Sequence, residues 1–240
     1  MPRPRQAIER RLAAELGDAP LAAQVATALD DVTVERLSEL TGGDLAGSPL
    51  LAYTPTTVPA AEIDSLWILA FGYRVAPGSS ASAVGPGGPV PPMDDLVPGP
   101  TNEALAVTAA SCVAERPVPI VAQWEVARAL AGLGVTEVIS VEPDVAPDGM
   151  VTYLSTAGVI DKGLRLAAAA SVDVGQVGVL GFADHVVRCL LTARVAGLTA
   201  DVPAGVTLPS SYDPESGQLW TRSRAAWIPV DLFARSQLPH

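Results

Sequence analysis

Between residues 65 and 202, short apolar runs alternate with longer segments of helical periodicity, and this alternation leaves few folds open. Its clearest instance spans residues 176–198. Residues 177–182 form an apolar run of the kind that makes a strand buried on both faces. The chain then turns at Ala183-Asp184 and continues as an amphipathic helix with Val187, Leu190, Leu191 and Val195 on its apolar stripe. Asp184 is placed to cap that helix and Gly197 to stop it. The other strands are expected at 65–71, 118–122 and 137–141, with a further extended piece at 199–202. Helices are expected at 101–115 with Thr101 as N-cap, at 124–133 closed by Gly134, over most of 151–170, and at 224–235. In the last of these, Pro229 either restricts the start or demands a kink. Strands alternating with helices imply crossover connections and a mainly parallel sheet with helices on both faces.

Residues 1–47 carry no strand pattern. Ile8, Leu12 and Leu16 make one helical stripe, Leu21, Val25 and Leu29 a second, and a short helix over 32–40 stops at Gly42-Gly43. Two regions follow: a helical extension over residues 1–60 and an α/β domain over 61–240. The extension is expected to pack on the larger domain as a cap, with Arg3, Arg5, Arg10 and Arg11 on a solvated face. Residues 77–100 are rich in Gly, Pro and Ser and too long for an ordinary strand-to-helix connection. Their position after the first strand favours a loop over a site.

The 240 residues carry a net charge of −11 and a single lysine, Lys162. An acidic chain without a basic stripe argues against a nucleic-acid partner. No apolar run approaches the ~18–20 residues of a membrane span, and no charged leader with an apolar core opens the chain. Cys112 and Cys189 are far apart in apolar, helix-like settings, which suits free thiols in a reducing cytoplasm. Phe71-Gly72-Tyr73 stand where a dinucleotide fingerprint would follow the first strand, and the chain has no phosphate-binding GxxxxGK[ST] loop and no GxSxG elbow. Two distant cysteines and two histidines give no zinc spacing.

In order, PTNEALA, VPIVAQWEVARALAGLGV, VISVEPD, VTYLSTAG, LGFADHVVRCLLTARVAGL and SYDPESGQLWTRSRAAWI resemble the YdcF/SanA/ElyC-like family, also called domain of unknown function 218. The resemblance runs from about Leu66 to Arg235. It implies a Rossmann-like three-layer sandwich, with a polar pocket at the C-terminal edge of the sheet. It also implies a nucleotide-type ligand such as S-adenosylmethionine. The chain departs from the family pattern at Gln123-Trp124, where a Gly-rich turn is usual, at Asn102-Glu103, where an Arg is usual, and around Thr152 and Ser155-Thr156, where an Asn is missing.

The candidate site residues are His185, Arg188, Glu125, Glu142, Asn102, Trp124 and Thr152. His185 and Arg188 lie three apart at a helix start, where they are expected to share an exposed face and hold an anion. The competing arrangement pairs Asp184 with Arg188. Glu125 and Glu142 fall at neighbouring strand ends, fit to bind hydroxyls or a cation, to act as a general base, or to serve only as turn carboxylates. Trp124 and Trp220 are stacking surfaces or packing residues. Asn102 and Thr152 occupy regions where the family carries polar site residues. The sequence therefore points to a small anionic or nucleotide-like ligand and leaves open both catalysis and homo-oligomerisation. The alternative is a non-catalytic interaction protein working through its N-terminal helices, which requires an exposed apolar patch on residues 1–47.

Overall fold

The computed structural model describes residues 4–86, 88–147 and 150–239. Three helices open the chain: α1 (Pro4–Leu16), α2 (Ala19–Ala28) and α3 (Asp31–Leu40). The α/β region then runs β1 (Thr57–Val58), β2 (Ser65–Ile68), β3 (Arg74–Val75), β4 (Leu96–Val97), α4 (Pro100–Glu115), β5 (Ile120–Gln123), α5 (Trp124–Gly132) and β6 (Val138–Val141). It continues with β7 (Asp144–Val145), β8 (Val151–Thr152), α6 (Thr156–Ala169), β9 (Gln176–Leu180), α7 (Val186–Val195), β10 (Thr199–Pro203) and α8 (Arg224–Ser236).

Six strands form one sheet in the order β1-β10-β9-β2-β5-β6, and every pairing in it is parallel. The alternating side chains of each strand feed two cores. Leu66, Ile68, Ile120 and Ala122 pack with Leu105, Ala109, Val126 and Leu130 of α4 and α5. Trp67, Leu69, Val121 and Val179 pack with Val159, Ile160, Val187 and Leu190 of α6 and α7. The result is a three-layer α/β sandwich. Gly163 lets α6 lie close to the sheet, because a Cβ there would stand 2.8 Å from the Trp67 ring.

The strand order fixes where a site can lie. From β2 the chain steps outward through β5 to β6, and α6 then returns it to β9 on the other side of β2. The two halves part between the ends of β2 and β9, where the Leu69 amide still donates to the Leu180 carbonyl at 3.0 Å. In open parallel sheets this reversal leaves a crevice beyond the strand C-termini.

Local starts differ from expectation in three places. Residues 151–152 pair with 144–145 as a β-ribbon, so α6 begins only at Thr156, with Ser155 Oγ accepting from the Gly158 amide at 3.1 Å. Gly99, at φ 76°, precedes α4 instead of Thr101. Asp184 does not cap α7; His185 occupies that position and makes no side-chain capping bond. Pro229 lies inside α8, the second of the two placements expected for it.

The N-terminal helices share a core with the larger region. Ile8, Leu12, Val25 and Leu37 cluster with Phe71, Phe182, Trp227 and Leu232, and among the large apolar side chains of residues 4–47 only Val32 is strongly exposed. Of the expected basic face, Arg5 donates to the Leu29 carbonyl at 2.8 Å and pairs with Asp31 at 2.6 Å, and Arg11 pairs with Glu15 at 2.8 Å. Arg10 is exposed, and Arg3 lies outside the described residues.

Candidate functional site

At the C-terminal edge of the sheet, beside the strand reversal, lies a cleft of about 460 Å³. Ala70, Phe71 and Gly72 enter from the end of β2 and Gln123 from β5. Val151 to Thr156 come from β8 and the start of α6, and His185 and Arg188 from α7. Val84, Gly88, Pro89 and Val90 of the Gly/Pro-rich segment line one wall, and Gln218, Trp220, Thr221 and Trp227 complete it. That segment is tied down by single bridges from Val84 to Gln218 and from Val90 to Val151. Two grooves of about 720 Å³ lie elsewhere, one along α4 and residues 203–207, the other at the N-terminal ends of β5 and β6. Neither is lined by the start of an α-helix, whereas helix starts converge on the smaller cleft, which is the stronger candidate.

Three helix starts meet here. Gln123, Ser155 and His185 are the N-cap residues of α5, α6 and α7, and all three line the cleft. Neither the Gln123 nor the His185 side chain caps its own helix, so first-turn N–H groups are left for other acceptors. The Gln123 side chain is instead fixed across the strands: its Oε1 accepts from the Ala70 amide at 3.1 Å, and its Nε2 donates to the Tyr153 hydroxyl at 3.0 Å.

Arg188 is the only charged side chain among the described lining residues, within a chain of net charge −11. Its guanidinium lies over the Trp227 ring at 4.7 Å and its Nε stands 3.3 Å from Asp231 Oδ1. Asp231 is fully buried, pairs also with the buried Arg235 at 2.7 Å, and accepts from the Tyr53 hydroxyl at 3.0 Å. Two guanidiniums thus share one carboxylate, leaving a net positive charge behind this wall. Asp184 does not meet Arg188. It takes a bidentate contact from Arg224 at 2.8 and 2.9 Å and a bond from the Tyr212 hydroxyl at 2.8 Å.

His185 is buried rather than on an exposed face, with its ring edge-on to Trp227 at 5.1 Å. Burial, aided by the nearby Arg188 and Arg235 charges, holds its pKa well below the usual histidine value, so the ring is neutral. Its Nδ1 is buried and has no hydrogen-bond partner among the described residues.

The structure brings His185, Arg188 and Thr152 into one cleft and leaves the other four sequence candidates outside the lining. Asn102, fully buried, clamps the cleft floor from behind: its Oδ1 accepts from the Phe71 amide at 2.9 Å, and its Nδ2 donates to the Gly72 and Pro98 carbonyls at 2.7 Å each. Gly72 must be glycine there, with φ 69° and Ser216 and Thr221 oxygens 2.6 Å from where a Cβ would sit. Trp124 is buried with Tyr73 and Leu96, its ring covered by Arg128 at 4.5 Å. Glu142 is exposed and accepts from Ser140 Oγ at 2.7 Å.

Glu125 is fully buried behind the cleft wall, where its Oε1 is bonded to the Tyr153 hydroxyl and its Oε2 has no partner among the described residues. Burial pushes its carboxyl up to about 8. Sequence reasoning missed Tyr153 and Gln218 altogether and weighed Gln123 only as a departure from a family pattern. Their signal lies in spatial proximity, which no local spacing encodes.

No group of acidic, histidine and cysteine side chains among the described residues has metal-holding geometry, and no helix among them is long and apolar enough to cross a membrane. No protein-family model matches the chain, and neither curated proteins nor solved structures give a significant match.

Proposed function

We propose that this protein binds a small nucleotide-like ligand bearing an anionic group in the cleft at the strand reversal. One observation carries the reading: in a strongly acidic chain, the cleft presents one arginine and no carboxylate among the described lining residues. Helix starts and the Arg188 guanidinium favour the anion, and its location fits the crevice rule for open parallel sheets. Trp220 offers a surface for a planar group. S-adenosylmethionine, brought in by the family resemblance, carries a base and a carboxylate and is one ligand of this class. The free cysteines Cys112 and Cys189 suit work in a reducing compartment such as the cytoplasm. The N-terminal helices, whose apolar stripes are buried, favour the cleft over an interaction role for that region.

Titration calorimetry with adenosine 5′-monophosphate, S-adenosylmethionine and adenosine tests the reading. The monophosphate should bind more tightly than adenosine. Thr152→Asp adds a carboxylate at an exposed lining position and should leave the fold intact. Arg188→Gln removes the cation. Each should weaken monophosphate binding by about 1.5–3 kcal/mol, roughly 10- to 150-fold in Kd. Equal affinities for adenosine and its monophosphate, or a Thr152→Asp protein that binds as the wild type does, would overturn it.

A further inference from the structure

The group formed by Glu125, Tyr153 and Gln123 is not used by an anion contact at Arg188, yet two of its members, Tyr153 and Gln123, line the same cleft. Its hydrogen-bond directions are constrained. The Gln123 carbonyl oxygen is committed to the Ala70 amide, so the amide nitrogen must face Tyr153 and donate to its oxygen. Glu125 is buried, makes no ion pair among the described residues, and has the Tyr153 hydroxyl on Oε1 and no partner on Oε2. A carboxylate without a counter-ion in such a place is costly, whereas the neutral acid is tolerated.

The proton therefore decides which way the Tyr153 hydroxyl points. When Glu125 is ionised, the phenol must donate to it. When Glu125 is protonated, the acid can donate to the phenol oxygen, which then accepts from Glu125 and Gln123 together, and its own hydrogen is free for the cleft.

Building on the anion-binding reading, we infer that Tyr153 is a ligand-contacting hydrogen-bond donor and that Glu125, through its proton, is the positioning residue that turns the phenol toward the ligand. The groups facing Glu125 are Tyr153 from just after β8, Tyr73 from the loop after β2, Arg128 from its own helix and Glu142 from just after β6. Burial holds Tyr153 well above the usual phenol value and Tyr73 near 12. On the cleft side, His185 stays neutral above pH 7. Between pH 7 and 9.5 the relay has one titrating member, Glu125, with its midpoint near 8.

The test follows adenosine 5′-monophosphate affinity by calorimetry from pH 7 to 9.5. The phosphate's second pKa is about 6, so the probe's charge is nearly constant there. Wild-type affinity should fall about tenfold across the range. Glu125→Gln, whose amide donates to the phenol at every pH, should keep the affinity of the low-pH form throughout. Tyr153→Phe should bind weakly with no slope. The same slope in Glu125→Gln as in wild type would overturn the inference. If the monophosphate binds at no pH, the anion-binding reading fails, and carbon-13 labelling of the tyrosine ring carbons decides the relay separately. A Tyr153 resonance that shifts with a midpoint near 8 and does not shift in Glu125→Gln supports it; a Tyr153 resonance that does not move overturns it.

Discussion

The N-terminal cap and the C-terminal edge of the sheet are both built from helix ends, but they treat those ends in opposite ways. In the cap, Asp18 accepts from the Leu21 amide at 2.9 Å and Asp30 from the Thr33 amide at 2.6 Å, and Arg5 closes the end of α2 through the Leu29 carbonyl. At the sheet edge, α5 and α7 start with Gln123 and His185, whose side chains do not cap, and the buried Nδ1 of His185 finds no partner among the described residues. Unpaired polar groups cost stability wherever they are buried. Two uncapped helix starts and the unpaired His185 Nδ1 at one cleft support the proposal that a ligand binds there.

The charges show the same contrast. Asp231 sits where the two regions join, holding Arg188 of the cleft wall and Arg235 beneath the cap, while Arg235 also donates to the Leu50 and Ala52 carbonyls at 3.1 and 2.6 Å. Asp231→Ala would leave a fully buried guanidinium without its carboxylate and should destabilise the protein by about 3–5 kcal/mol in urea unfolding. A loss below about 1 kcal/mol would mean that the join between cap and cleft does not depend on this ion pair.

Glu125 gives an intermediate effect with a definite sign. Its folded pKa is raised from 4.5 to about 8, so its contribution to stability is fully present below the unfolded value and is lost as pH rises through about 8. His185 works oppositely. Its folded pKa is depressed, so stability falls as pH drops below 6.5. Above 6.5 the Glu125 contribution is isolated, and wild-type stability should fall by about 2 kcal/mol between pH 6.5 and 8. Glu125→Gln should remove that slope. Chemical denaturation at a series of pH values measures it, and matching slopes in the two proteins would rule out a protonated buried carboxyl.

The smallest effect belongs to the cap. Asp18→Ala should cost about 1 kcal/mol, read as a shift in the urea midpoint, and should leave monophosphate affinity unchanged. A change in affinity would show that the cap and the cleft are coupled.

How much was legible in the sequence follows from the range of each interaction. Hydrophobic period is local, so the strands around Leu66, Ile120, Ile139 and Val179 and the stripes of α1 and α2 could be read directly, and with them the parallel α/β class. Local spacing also put His185 and Arg188 at the C-terminal edge of the sheet, because a strand followed by a helix start is a local pattern. What it could not supply was exposure and partnership. Arg188 looked free to meet Asp184 four residues away, but Asp184 is taken by Arg224 and Arg188 meets Asp231, each more than 35 positions distant in sequence.

By itself, the sequence determined the main helices and the core strands and their alternation, which depend on residues within a few positions of one another, and the acidic net charge. Only the tertiary structure decided that β9 returns beside β2 and opens the crevice there, and that Glu125 is buried against Tyr153 while Glu142 stays in water. It also decided that Asn102 braces the floor from outside the cleft lining. These outcomes depend on burial and on hydrogen bonds between distant segments. The same carboxylate or amide can serve as a solvated turn, a brace or a proton store, according to what the fold packs around it.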